Sequence, residues 1–308
     1  KPLPAIGREL GVGTIIEGSV LWAGENVRIS VQLVDATRDR HIWAKSYESD
    51  LTDVLGLQRR VAMEVASAIE VELTDQEQTR LATAPVVDKD AYELYLQGRF
   101  NWNQRRPESI ERAIDYYERA IAIDSTYALA YAGLAESYVV LATWGYDARV
   151  RRAHVMAREM AQKALAIDEG LAQAHASLAA VSYEHDWDWE QAEIHFKRAI
   201  ELNPNYATAH QWYAEFLTSL GRYGEAVREI RTAQALDPLS LIIGTVAGFT
   251  LTLNGDTEKG FAEFNKVIDT DPSFPPVYLT EQYSYYWIRD WEEGARAGIK
   301  YLELTAPP

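Results

Sequence analysis

Residues 189–204 read WEQAEIHFKRAIELNP, and the clause returns as IERAIDYYERAIAIDS at 110–125 and as GEAVREIRTAQALDP at 224–238. In the quoted stretch Ala192, Phe196 and Ala199 lie at offsets that follow one face of a helix. Pro204 then stops the helix, because proline has no amide to donate and crowds the preceding turn. The restatements keep register: Ala192, Ala226, Gly260 and Gly294 follow at intervals of 34, after Ala113 to Ala157 at 44 and Ala157 to Ala192 at 35. Four positions on stand Tyr117, Ala161, Phe196, Ile230, Phe264 and Gly298. Seven positions on stand Ala120, Ala164, Ala199, Ala233, Val267 and Tyr301. A second series of small residues, Gly98, Ala135, Ala179, Ala214 and Gly248, sits half a repeat earlier.

Two helices per unit, small residues at their crossings and a period of 34 resemble the tetratricopeptide repeat (TPR). Leu134-Ala135-x-x-Tyr138 matches that family's first-helix pattern, and Ala192-x-x-x-Phe196 with Pro204 matches its second. The resemblance implies six units, at 91–125, 128–170, 172–204, 207–238, 241–272 and 275–308, stacked into a superhelix with an inner groove. The stretch TWGYDARVRRAH (143–154) predicts longer helices or a protruding loop in unit two, and HDWDW (185–189) a turn longer by one residue in unit three. Unit six puts Gln282 at a small-residue position and carries Tyr283, Tyr285, Tyr286 and Trp287. Such a face implies further repeats or a cover.

Residues 1–80 have another texture. Ile6–Val12 closes a short helix, and GTIIEGSVLWAG (13–24) with ENVRISVQLVDA (25–36) alternates β-branched and polar residues as a hairpin. HIWAKSYESD (41–50) reads as a third strand, and Val54, Leu57, Val61, Val65, Ala68, Ile69 and Leu73 line one face of a helix. Residues 81–90 form the linker to the array at 91–308. The fold class expected is therefore mainly α, a TPR superhelix of six helix pairs behind a small three-stranded antiparallel α+β module.

The run GVGTIIEGSVLWAGENVRISVQLVDATRDRHIWAKSYESDLTDVLGLQ (11–58) resembles the TolB-amino-terminal-like module that often precedes TPR arrays. In bacterial signalling proteins of that architecture the pair follows a winged-helix domain, a Ser/Thr kinase or a nucleotide cyclase, frequently with one membrane span. The resemblance implies a regulatory or sensory region, on either side of the membrane. The family module begins with a further strand and helix, so the edge near Thr14–Trp22 is expected to be open, inviting a homodimer. The chain opens on Lys1, as a piece of a longer protein would.

Composition narrows the chemistry. The chain has 30 basic and 46 acidic side chains, a net charge of −16, and such a surface repels phosphate backbones. No apolar run approaches the roughly 18 residues of a membrane span. With no cysteine there are no thiolate metal sites, disulfides or Cys nucleophiles. Six histidines are present; His175 and His210 hold a packing register, while His185, Asp186 and His195 lack any two-helix metal spacing such as H-E-x-x-H. Gly7-x-x-x-Gly11-x-Gly13 leads into a strand, the reverse of a phosphate cradle. No catalytic, cofactor or metal site is assigned, and the chain reads as a non-enzyme.

Arg149, Arg151, Arg152 and Arg158 form the one concentrated basic spot, read as a solvated helix face. In the TPR register the inward residues are Tyr92, Tyr95, Arg99, Trp102, Leu129, Glu136, Val139, Tyr183, Glu184, Gln211, Glu215, Thr245, Phe249, Tyr283 and Tyr286. One TPR subclass grips a C-terminal carboxylate with Lys, Asn and Arg, of which only Arg99 is matched here. An aromatic, weakly acidic groove suits an extended peptide with apolar and basic side chains, although the same aromatics also suit packing between repeats. Replacing Tyr95 and Arg99 is expected to weaken a groove ligand at nearly unchanged melting temperature. The function expected is a protein- or peptide-binding regulatory region of a bacterial signalling protein, or else a free-standing scaffold in envelope assembly or secretion.

Overall fold

The computed structural model of the chain describes residues 2–23, 26–50, 54–68, 87–143 and 148–305. The chain divides into two compact units, 1–89 and 90–308. Most of the expected linker, 81–86, lies outside the described residues, as do Ile69 and Leu73.

The first unit runs α1 (Leu3–Leu10), β1 (Thr14–Ala23), β2 (Asn26–Asp35), β3 (Arg40–Asp50) and α2 (Val54–Ala68). The three strands pair antiparallel in sequence order. Alternation puts Ile29, Val31 and Leu33 of β2 on one face, opposite Tyr47, Lys45 and Trp43 of β3. Leu57, Val61 and Val65 of α2 cover Val31, Tyr47, Ile29 and Trp43. The Glu64 carboxylate of α2 accepts from the Tyr47 hydroxyl at 3.0 Å and pairs with Lys45. On β1, Ile16 and Val20 face the same way but stay half exposed, and β1 pairs with β2 alone among the described strands. Gly11 closes α1 in the left-handed region, a turn former rather than a cradle.

The second unit is a TPR superhelix. Its helices are α3 (Lys89–Asn103), α4 (Pro107–Ile123), α5 (Ala128–Thr143), α6 (Ala148–Ile167), α7 (Ala172–Val181), α8 (Trp189–Leu202), α9 (Ala207–Ser219), α10 (Tyr223–Leu236), α11 (Leu241–Leu253), α12 (Thr257–Thr270), α13 (Pro275–Trp287) and α14 (Trp291–Thr305). They form six antiparallel pairs, α3 with α4 through to α13 with α14. The extra length of unit two goes into α6, which has 20 residues. The extra residue of unit three goes into a π-turn, Ser182–Asp186, that continues α7; a wider turn absorbs one residue without breaking the helix.

Packing follows the small-against-large register. Gly98 and Gly248 on the first helices leave room for Tyr117 and Phe264 on the second; Ala179 and Ala214 hold the same register as Phe196 and Ile230, and all four large side chains are fully buried. Unit six inverts the sizes: Gly298 on α14 leaves the room that Gln282 on α13 fills, since a Cβ at Gly298 would stand 2.4 Å from Gln282 Nε2. That inversion accounts for the anomalous glutamine. Between repeats, Arg222 reaches Glu193 at 2.9 Å and Arg231 reaches Glu263 at 2.9 Å.

The described turns inside the repeats each hold one residue in the left-handed region. Gly221 and Gly255 supply it without strain, but Arg105, Trp187 and Arg289 adopt the same conformation with φ of 51°, 58° and 66°. Four of the turns between repeats are closed by an Asx cap: Thr126, Gly170, Asn205 and Ser273 amides donate to Asp124, Asp168, Asn203 and Asp271.

Candidate functional site

The inward faces of the first helices converge on Glu136. Glu136 of α5 is fully buried, accepts from Arg99 Nη1 of α3 at 2.5 Å and also accepts from the Tyr206 hydroxyl just before α9. Repeats one, two and four are thus tied at one carboxylate. Burial raises the Glu136 pKa against the pull of Arg99 and Arg105. Arg99 and Arg105 both stack on the Trp102 ring, 4.4 and 3.5 Å from its centroid. Burial holds the Arg105 guanidinium down at about 10 in spite of Glu136 and Glu215. Glu215, half-buried on α9, is pushed up to about 7 by burial and then by the Glu184 carboxylate, with Arg105 opposing. Glu184 in turn meets His154 Nε2 at 3.2 Å.

Of the residues read as inward-facing, the fold therefore brings together Arg99, Trp102, Glu136, Glu184, Gln211 and Glu215. Trp102, Glu136 and Gln211 are buried, so their side chains pack the interior. Val139 and Thr245 are buried as well. Tyr95 stacks among Tyr117 and Tyr127, with ring centroids 5.8 and 5.2 Å away. Tyr183 packs edge-on against Phe216 and its hydroxyl stands 2.6 Å from Ser219 Oγ. Tyr92 and Leu129 are half-buried, and Phe249 packs with Phe264 and Val277. Tyr286 stacks on Trp291 while Tyr283 is exposed. Because Arg99 is half of a buried ion pair, a Tyr95 and Arg99 double replacement will lower stability; the expectation of an unchanged melting temperature is corrected.

Sequence reading missed Arg105, Arg106 and Tyr206. Arg106 Nη2 lies 2.9 Å from Asp271 Oδ2 and 3.0 Å from Ser273 Oγ, joining the α3–α4 turn to the α12–α13 turn. A pocket of about 530 Å³ lies beside this closure, lined by Arg99, Trp102, Arg105, Tyr206, Gln211 and Ser240 among others. The one available signal was local: NQRRP (103–107) puts Arg105 where repeats four and five turn on Gly221 and Gly255.

His175, His195 and His210 are partly or wholly buried within the array. His210 sits between Glu229 at 2.7 Å and the Pro204 carbonyl at 3.0 Å, while His175 and His195 face each other at 3.1 Å. His185 pairs with Asp186, apart from His195. Among the described residues no group of three or more His, Cys, Asp or Glu could hold a metal ion. No described helix is long and apolar enough to cross a membrane. In the basic spot Arg158 pairs with Asp186 and Arg152 is exposed; the side chains of Arg149 and Arg151 lie outside the described residues.

Residues 187–242 match the tetratricopeptide repeat family. The chain is 33% identical over 176 residues to the Rhizobium meliloti protein provisionally named adenylate cyclase 3, covering 56% of this chain and 30% of that protein. It is 28% identical over 155 residues to the transcriptional regulator HilA of Salmonella typhimurium, covering 50% of this chain and 28% of that protein. The chain thus spans less than a third of either relative's length. Among solved structures it is similar to PilF of Pseudomonas aeruginosa, at 22% identity and a TM-score of 0.45, over 60% of this chain and 79% of that one.

Proposed function

We propose that this chain is a non-catalytic protein-interaction and regulatory region of a larger bacterial signalling protein. One observation supports the reading above others: about half of the chain is matched in a protein named for cyclase activity and about half in a transcriptional regulator. An array carried by effectors of unlike chemistry is suited to sensing or partner binding. The TPR fold itself offers continuous surface rather than a reactive centre.

In this reading residues 1–80 are a TolB-amino-terminal-like module joined by 81–90 to the array at 91–308. A peptide or protein partner engages the exposed Tyr283 and the part-exposed faces of Phe249 and Tyr286. The unpaired edge of β1, flanked by the exposed Ile16 and Val20, receives the same strand of a second copy. Light scattering is expected to give a dimer mass; a strictly monomeric mass removes the edge from the proposal.

The test of the whole reading is the gene upstream of Lys1. A cyclase, kinase or winged-helix domain there supports a regulatory arm. A signal peptide directly before the module instead makes the chain a free-standing envelope scaffold.

A further inference from the structure

The pocket between the α3–α4 turn and the starts of α9, α11 and α13 holds one guanidinium that no carboxylate contacts. Two guanidiniums share the Trp102 ring, and Glu136 hydrogen-bonds only that of Arg99. Arg106 is matched by Asp271. Arg105 is 4% exposed, and its guanidinium, drawn by Glu136 and Glu215 only from a distance, makes no hydrogen bond or ion pair among the described residues. A buried charge without a partner is strongly unfavourable, and fixed cation stacking offsets only part of that cost.

Two neighbours share this condition. The Trp102 indole Nε1–H donates to nothing, and Gln211 Oε1 accepts from nothing. All three side chains are more than nine-tenths buried and line the same pocket of about 530 Å³. Leu241, Ile243 and Phe274 give it an apolar wall. Helices α9 and α11 begin there at Tyr206 and Ser240, neither of which caps its helix with a side chain. Uncapped helix starts favour negative charge.

We propose that this pocket binds a small organic carboxylate that also carries an N–H or O–H donor. The carboxylate sits on the Arg105 guanidinium and the Trp102 indole N–H. The donor meets Gln211 Oε1, and the apolar remainder lies on Leu241, Ile243 and Phe274. The volume falls in the range of small-molecule sites. A single negative charge fits best, because Asp237 and Asp271 also line the pocket and repel a polyanion. Such a ligand touches repeat one and repeats four and five together, so it binds the closed arrangement and stabilises it by linkage. This goes beyond the interaction role and adds a chemical input to it.

Indole ¹H–¹⁵N NMR on the whole chain tests the site, with the Trp102 resonance identified by its loss in Trp102→Phe. The probes are N-acetyl-leucine, its methyl ester and sodium sulfate. N-acetyl-leucine is expected to shift the Trp102 signal saturably, while the ester and sulfate leave it in place. Arg105→Gln should weaken the acid by about tenfold or more, with Arg105→Lys between. Without probe, Arg105→Gln should melt no lower than the parent chain, because it removes an unmatched buried charge; an arginine serving structure alone would melt lower when replaced. No saturable shift, an equal shift in Arg105→Gln, a lower melting point for that variant, or an equal response to sulfate would each overturn the proposal. Capture of a protein partner is measured separately and does not depend on the outcome.

Discussion

Arg106 and Asp271 stand 165 residues apart in sequence and 2.9 Å apart in the fold. A six-repeat array whose α3–α4 and α12–α13 turns touch cannot vary its curvature freely. The bond and its two companions at Ser273 act as a clasp on the second unit.

Both partners of the clasp are about a third exposed, so its thermodynamic contribution is small, about 0.2–1 kcal/mol. Its geometric contribution is larger. With no native cysteine in the chain, Glu108→Cys and Asp269→Cys provide two clean label sites, both exposed. Arg106→Ala is expected to broaden and lengthen the electron–electron distance distribution between them while moving the melting temperature little. An unchanged distribution would mean that packing alone sets the curvature.

The interior carboxylate behaves differently. Arg99→Ala strands the fully buried Glu136, and the expected loss is about 3–5 kcal/mol in urea denaturation. Glu136→Gln keeps the shape and an acceptor for Tyr206, so it should cost less. Equal losses would show that packing volume, not charge, dominates at this site.

Gln282 and Gly298 invite a double-mutant cycle. Gly298→Ala puts a methyl 2.4 Å from Gln282 Nε2 and should cost about 1 kcal/mol or less, because the amide end of that flexible side chain can swing aside. In the Gln282→Ala background the same change should be near neutral, or favourable through helix propensity. Additive losses would mean that the two side chains do not share the space.

Glu215 gives a pH signature. Its folded pKa is pushed up to about 7 from the ordinary carboxylate range, first by burial and then by Glu184. The folded state therefore binds the proton more tightly than the unfolded chain. Stability from this group is greatest below about 4.5 and falls as pH rises through 7. Glu215→Gln should raise the unfolding free energy at pH 8, by an amount of order 1–2 kcal/mol, and have little effect at pH 5. A gain at pH 5 as large as at pH 8 would assign the effect to something other than ionisation.

What the sequence made legible was local. A period of 34 with alternating small and large residues is a statement about neighbouring helices, and Gly98 against Tyr117 or Gly248 against Phe264 obeys it. The one-residue insertion at 185–189 was also visible, since it breaks the count, and it became the π-turn after α7. The meeting of Arg106 with Asp271, or of Tyr206 with Glu136, depends on the summed rotation of several repeats, and no local pattern encodes that sum. For the same reason Trp102 and Gln211 read as groove residues, although the tightness of the coil buries them. Arg105 stayed hidden because its left-handed turn lacks the glycine that marks the equivalent turns at Gly221 and Gly255.

The exchanged sizes of Gln282 and Gly298 bear on how such an array can change over generations. Unequal crossing-over within a hairpin would join α13 to α12, setting glutamine against Phe264, or α11 to α14, setting Gly248 against Gly298 and leaving a hole. Either recombinant starts life damaged, whereas a break point in the turn between hairpins transmits the matched pair intact. The heritable module here is the hairpin, and the sixth has diverged far enough that its halves can no longer be traded with those of its sibling.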